Sequence, residues 1–272
     1  MSFDLALLLF VPGDRPDRFA KALASGASGA ILDLEDAVAL DAKDAARERV
    51  RAFLDEAEDL SRVAVRINAC DSEAGARDLA MLAGARRVGA VLVPKVEDTE
   101  DLAAVGAALG DVPQIALLET ARGIVCCDAI ARAPHLIALA FGPYDLAADL
   151  GGDADADLLL PHRARVLVAA RAAGRAAIDG PTREFGDPAV VRREAMQARR
   201  LGFDGKLTIH PAQIAPVRAA FAPSADEVAQ ARRVVAAAAL GSPAVLDGAM
   251  IDAPILRAAE RALHRAGQTP SP

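Results

Sequence analysis

Short apolar runs alternate with Ala-rich, charged, amphipathic segments along most of the chain. That alternation predicts parallel strands wrapped by helices. Residues 5–11, 29–34, 62–67, 89–93, 114–118, 136–141, 176–178 and 205–209 are the strand candidates. Helical periodicity covers 16–25, 43–55, 73–83, 99–109, 122–132, 159–173 and 188–201 between them. Eight βα units in roughly 220 residues fit a TIM barrel, whose usual size is about 250 residues. An open doubly wound sheet is the alternative, but Pro12-Gly-Asp-Arg15 stands where a dinucleotide fold places Gly-x-Gly-x-x-Gly. Beyond Pro211 the pattern turns into Ala- and Arg-rich helices up to Gly267. The expected division is therefore a barrel over 1–220 and a C-terminal helical tail or lid over 221–272, with disorder over the final Gln268-Thr-Pro-Ser-Pro272.

Composition narrows the partners. The 272 residues are 53% hydrophobic, enough to bury a large core. Against 38 acidic residues stand 31 basic ones, a net charge of −7, with a single Tyr and no Trp. Such a chain offers neither the basic stripe nor the stacking platforms that nucleic acids need. Cys70, Cys126 and Cys127 lack metal-ligand spacing, and two adjacent cysteines pair poorly with each other, so reduced thiols and a cytoplasmic setting are expected. The first apolar run follows Asp4 and has no basic leader, so it reads as a buried strand, with neither a signal peptide nor a membrane span expected.

Polar residues recur where the strands end: Glu35 and Asp36 after the second, Arg66 and Asn68 at the third, Lys95 after the fourth, Glu119 after the fifth, Asp145 after the sixth. In a barrel these converge on the C-terminal face, where catalytic residues of this fold sit. If the fifth and sixth strands are neighbours, Glu119 and Asp145 emerge about 5 Å apart, a gap one hard cation bridges. Helix capping is the competing role for both carboxylates. Arg66 breaks the apolar alternation of its strand and must meet anions at the mouth, either Glu35 and Asp36 or a bound carboxylate or enolate. The acidic cluster Asp33-Leu-Glu-Asp36 serves equally as cap and arginine partner or as water-mediated metal contact. His210 reads as an orienting hydrogen bonder at the end of the eighth strand. No Gly-x-Ser-x-Gly elbow and no zinc-type cluster of cysteine and histidine occurs.

These residues lie in recognisable motifs. Phe10-Val-Pro-Gly-Asp-Arg-Pro-Asp-Arg-Phe19, Ile31-Leu-Asp-Leu-Glu-Asp-Ala-Val38, Val65-Arg-Ile-Asn68, Val93-Pro-Lys95, Leu118-Glu-Thr-Ala121, Phe141-Gly-Pro-Tyr-Asp-Leu146, Ala177-Ile-Asp-Gly-Pro181 and Gly202-Phe-Asp-Gly-Lys-Leu-Thr-Ile-His-Pro211 fall in order along the chain. Together they resemble the citrate lyase β-subunit-like family, stand-alone relatives of malyl-CoA and citramalyl-CoA lyases. The resemblance implies a TIM barrel that assembles into homotrimers or hexamers and binds Mg²⁺ through Glu119 and Asp145. It also implies that Arg66 holds substrate beside that metal, and that Asp252 is an acid/base contributed by a neighbouring subunit. The expected reaction splits a 3-hydroxy acyl-CoA such as malyl-, methylmalyl-, citramalyl- or citryl-CoA into an acyl-CoA and a 2-oxo acid, or joins them. Arg15, Arg18 and Lys21, opening the first helix, are candidates for CoA phosphates, with solvated surface charge as the competing reading. A class II pyruvate aldolase and a complex-dependent subunit acting on an acyl-carrier-protein thioester are the alternatives. Two features depart from the larger malyl-CoA lyases: the tail after Asp252 is only 20 residues, and Thr182-Arg-Glu-Phe-Gly-Asp187 is less acidic than the corresponding loop.

Overall fold

Strand pairing closes a ring. In the computed structural model, which describes residues 3–86, 88–239, 244–247 and 249–267, eight parallel strands pair in sequence order and the last returns to the first. They are β1 (Leu7–Pro12), β2 (Gly29–Asp33), β3 (Val63–Arg66), β4 (Ala90–Val93), β5 (Gln114–Leu118), β6 (Leu136–Phe141), β7 (Ala176–Asp179) and β8 (Gly205–Thr208). This is a TIM barrel. The expected boundaries shift by one or two residues for local reasons. Asp4 Oδ1 captures the Ala6 N–H at 3.0 Å, so β1 begins at Leu7 rather than at residue 5. Ile209 lies past the end of β8 and is 42% exposed.

Inward side chains fill the barrel. Leu8, Ile31, Leu92, Ile115, Ile178 and Leu207 alternate with Ala64, Ala90, Ala138 and Ala140 in one buried cluster, where small residues opposite large ones let the layers interdigitate. Each fully buried Leu or Ile contributes about 1.5–3 kcal/mol relative to exposure. Around the ring run α1 (Phe19–Ala24), α2 (Lys43–Glu56), α3 (Glu73–Ala83), α4 (Thr99–Leu109), α5 (Ala121–Ile130), α6 (Pro143–Asp149), α7 (Ala156–Ala172) and α8 (Pro188–Leu201). Their starts are fixed by side-chain caps: Ser72 for α3, Asp98 for α4, Thr120 for α5, Asp155 for α7 and Asp187 for α8. Helix α8 ends on Gly202 at φ 109°, a left-handed conformation that glycine adopts without a Cβ penalty.

The chain divides into two compact units, residues 1–217 and 218–272, with the boundary inside α9 (Ile214–Phe221). Within the second unit, α10 (Ala225–Ala239) and α11 (Ala253–Arg265) pack through Ala231, Val234, Ala259 and Leu263. Sequence periodicity predicted helices alone here. The unit also holds an antiparallel pair, β9 (Ala244–Leu246) and β10 (Ala249–Ile251). Val245 and Met250 in it are 60% and 64% exposed, so no half-buried alternation announced it. Disorder was expected over residues 268–272, which lie outside the described residues. Among the described residues no helix is long and apolar enough to cross a membrane.

Candidate active site

Parallel register delivers several charged side chains to one end of the barrel. Asp33 and Arg66 are direct cross-strand partners at the ends of β2 and β3. Asp33 is fully buried, and its carboxylate takes the Arg66 fork, Nε at 2.6 Å on Oδ1 and Nη2 on Oδ2. The same carboxylate accepts the Glu35 N–H at 2.9 Å and the Ala37 N–H at 3.3 Å. Arg66 Nη1 lies 2.9 Å from Glu35 Oε2 and 3.3 Å from Asp36 Oδ2, and the Phe10 ring centroid sits 4.7 Å from the guanidinium carbon. Hydrogen bonds and charges from Asp33, Glu35 and Asp36 hold Arg66 above its ordinary pKa despite the opposing effect of burial. Pairing with Glu35 or Asp36 was one of the two roles expected of Arg66, and both carboxylates do lie within ion-pair distance of it; the bidentate partner is Asp33, the member of the acidic cluster that faces inward.

Lys95 joins this network from the end of β4. Its Nζ donates to Glu35 Oε1 and lies 4.0 Å from Asp36. Its backbone is left-handed, at φ 50°, which is uncommon for a residue with a side chain and costs on the order of 1–2 kcal/mol. That geometry turns the Lys95 N–H onto Glu119 Oε1 at 2.9 Å. Glu119 is 2% exposed and lines the same cavity as Arg66 and Asp145. Burial, and next the charge of Glu35, push the Glu119 carboxyl up to about 8; Asp145 adds to this, while Lys95 and Arg66 oppose it. The capping role weighed for Glu119 belongs to Thr120, whose Oγ1 accepts from Gly123 N at 3.0 Å.

Asp145 reaches the same pocket by a different route from the one expected. Leu118 pairs with Phe141, so the residue beside Glu119 across the sheet is Gly142, not a carboxylate. The Gly-Pro-Tyr segment is no loop: Gly142 is the N-cap of α6, Pro143 occupies its opening turn, and Asp145 follows inside the first turn. Asp145 therefore does not cap residues 146–149. It is exposed, and it makes no hydrogen bond or ion pair with the described residues. A cavity of about 330 Å³ brings Arg66, Glu119, Asp145, Asp33, Asp36 and Tyr144 to one surface.

The remaining candidates make local contacts of their own. His210 is exposed, caps the turn Pro211–Gln213 through Nδ1, which accepts from Ala212 N at 3.2 Å, and stacks on Phe185 at 4.6 Å between centroids. Arg15, Arg18 and Lys21 follow β1 as exposed cations; Arg15 and Lys21 lie 3.6 and 4.0 Å from Asp17. Asp252, in the second unit, is the exposed residue before α11, and its Oδ1 accepts from Ile255 N at 3.0 Å. Sequence reading missed Gly142 and Tyr144; the signal for the first was a glycine immediately before a helix-opening proline, at the end of a strand beside Glu119.

Hard oxygen donors in this pocket fit a divalent cation. No group of three or more His, Cys, Asp or Glu side chains suited to a metal occurs among the described residues. Glu119 and Asp145 would thus supply one or two protein carboxylates, the pattern Mg²⁺ accepts when water and substrate complete its shell.

Comparison with known proteins places the chain. It is 42% identical over 271 residues to a citrate lyase subunit beta-like protein of Mycobacterium tuberculosis, covering 97% of this chain and 96% of that one. A (3S)-malyl-CoA thioesterase of Cereibacter sphaeroides is 40% identical over 233 residues, 85% of this chain and 81% of the relative. The crystal structure of CitE from Mycobacterium tuberculosis in complex with magnesium, acetoacetate and coenzyme A matches with a TM-score of 0.85 at 41% identity, covering 97% of this chain and 99% of that chain. Residues 6–211 match one family description, and the protein belongs to that family, HpcH/HpaI aldolase/citrate lyase.

Proposed function

We propose that this protein is a Mg²⁺-dependent carbon–carbon lyase that cleaves, or forms, a 3-hydroxy acyl-CoA of the malyl-CoA type. One observation carries the reading: Glu119, buried and pinned by one oxygen to the Lys95 N–H, offers its other oxygen to a cavity shared with Asp145 and Arg66. Mg²⁺ held by Glu119 and Asp145 would polarise the hydroxyl and carboxylate oxygens of the substrate.

The chain's own residues supply the rest. In cleavage the hydroxyl gives its proton to solvent and becomes the oxo group, the C2–C3 bond breaks, and its electron pair passes to the thioester as an enolate. Arg66, immobilised by Asp33, keeps one of its five N–H groups beyond its four carboxylate contacts, and in this reading that group and the positive charge stabilise the charge developing on oxygen. Asp252 of a neighbouring subunit delivers the proton to the enolate carbon in this reading. The cavity accommodates the acyl portion, leaving the CoA phosphates to exposed cations such as Arg15, Arg18 and Lys21. The CitE complex with magnesium, acetoacetate and coenzyme A supports a reading in which a metal and a CoA thioester take part. The pyruvate aldolase alternative gains little, since His210 is committed to a cap.

A second reading, thioester hydrolysis, is supported by the malyl-CoA thioesterase relative. One experiment separates the two. With malyl-CoA and Mg²⁺, the lyase releases glyoxylate, detected as its hydrazone, and acetyl-CoA; a thioesterase releases malate and free CoA thiol. Neither product, with folded protein and excess Mg²⁺, refutes both. Turnover undiminished by excess EDTA refutes the metal.

A further inference from the structure

A second polar cluster lies behind the wall of the cavity, on the outer side of β7 and β8. Lys206 is 2% exposed, and its Nζ donates to Asp179 Oδ2 at 2.7 Å and to the Gly180 carbonyl at 2.6 Å. Asp179, 3% exposed, accepts from Arg163 Nε on α7 at 3.0 Å through its other oxygen. Burying such ions is costly unless hydrogen bonds offset the lost hydration. None of the three lines the cavity that holds Glu119 and Asp145.

What the cluster grips is backbone, and that backbone supports the start of α6. A Cβ at Gly180 would collide with Pro143 Cδ and lie 2.6 Å from the Phe141 carbonyl oxygen. One residue on, the Pro181 carbonyl accepts from the Tyr144 hydroxyl at 3.3 Å. Pro143 and Tyr144 immediately precede Asp145. Glu119 is fixed by a hydrogen bond to its own carboxylate, whereas Asp145 has no partner among the described residues. Its carboxylate is therefore placed only by the backbone that carries it.

We propose that Lys206 and Asp179 are positioning residues for Asp145: their buried ion pair fixes Gly180-Pro181, and the Pro143-Tyr144 turn seats against that template to aim the carboxylate at the cavity. The inference rests on the metal reading above. A merely structural ion pair would affect stability and leave metal affinity alone. Positioning through Asp145 makes affinity depend on Lys206 only while Asp145 can ligate.

Mn²⁺ binding to the full chain, followed by the electron paramagnetic resonance of the free ion, tests this. Lys206→Met keeps length and leaves Asp179 paired with Arg163. It should weaken Mn²⁺ binding by about tenfold, as supporting residues around metal ligands do. In an Asp145→Asn background the same change should alter affinity by less than about twofold, the signature of two residues acting as a unit. Wild-type affinity in folded Lys206→Met, or equal losses in both backgrounds, overturns the proposal. If Lys206→Met does not fold, Tyr144→Phe removes the bond to Pro181 instead; weaker binding supports the template and unchanged binding overturns it. Mn²⁺ affinity that survives Glu119→Gln would sink the metal reading itself. Affinity that needs Glu119 but ignores Lys206 sinks this inference alone.

Discussion

Gly142 and Glu119 are packed so closely that no side chain can stand between them: a Cβ at 142 would fall on Glu119 Cβ and lie 2.7 Å from its Oε2. The absence of a Cβ at the residue following β6 is what leaves room for the Glu119 carboxylate just past β5. Gly142→Ala must push Glu119 off the Lys95 N–H or part the two strands. A small-to-large change in such a site costs about 1–3 kcal/mol. We expect Mg²⁺ affinity to fall by at least about tenfold, measured by calorimetric titration, with a modest drop in thermal midpoint. Unaltered affinity in the Ala variant would mean that Glu119 is not the ligand.

Arg66 and Asp33 form the most buried charge pair of the site, at 8% and 0% exposure. Arg66→Lys keeps the charge but loses the planar fork that meets both Asp33 oxygens. The expected result is a loss of about 1.5–3 kcal/mol in stability, the range for a charged hydrogen bond, and a fall in kcat of about a hundredfold or more, the range for a lost oxyanion donor. Chemical denaturation and steady-state kinetics read the two effects separately. Near-normal kcat with lowered stability would assign Arg66 to structure alone.

How far the sequence carried these conclusions depends on the element. The barrel was legible because a strand buried on both faces reads as an unbroken apolar run, as in residues 115–118 and Leu136–Phe141. Helix α6 was not, because Gly142-Pro-Tyr reads locally as a turn and seven residues carry too little periodicity to overrule it. Glu119 and Asp145 were singled out by their positions after strands, and both line one cavity. The part played by Asp33 was not, because a cluster of neighbouring acids does not say which member points inward; only the register that sets Asp33 opposite Arg66 decides it. The left-handed Lys95 was equally silent, since nothing in Val-Pro-Lys prescribes φ 50°.

Metal binding should release a proton. Without metal, the Glu119 carboxyl is pushed up from an ordinary 4.5 to about 8, first by burial and then by the charge of Glu35. A carboxyl with a raised pKa is mostly protonated below that value, so a cation binding at pH 7 must displace the proton. Apparent Mg²⁺ affinity is expected to climb by up to about tenfold per pH unit toward pH 8 and then level off. The linked effect on the metal-free fold has the same origin. The stability contributed by the protonated group is fully present below 4.5 and is lost as pH rises through about 8. Titration calorimetry at pH 7 in buffers of different ionisation enthalpy should show close to one proton released by wild type and none by Glu119→Gln. A wild-type heat independent of buffer would contradict the raised carboxyl.

Asp252 permits a clean separation of cap from acid. Its Oδ1 accepts the Ile255 N–H at 3.0 Å at the start of α11, a role that asparagine fills about as well. Asp252→Asn should therefore leave the thermal midpoint nearly unchanged while removing the only function that needs a proton. If the proposed acid acts across a subunit boundary, that variant is inactive alone, as is Glu119→Gln, yet a mixture of the two recovers activity. Each working site then needs an intact Glu119 from one protomer and an intact Asp252 from its neighbour. Random mixing in equal amounts restores about one site in four. Differently tagged protomers, co-purified after exchange, establish that mixed oligomers formed. Recovered turnover in those oligomers supports a shared site. Mixed oligomers that remain inactive place the acid within its own chain, and full activity of Asp252→Asn alone reduces Asp252 to a helix cap.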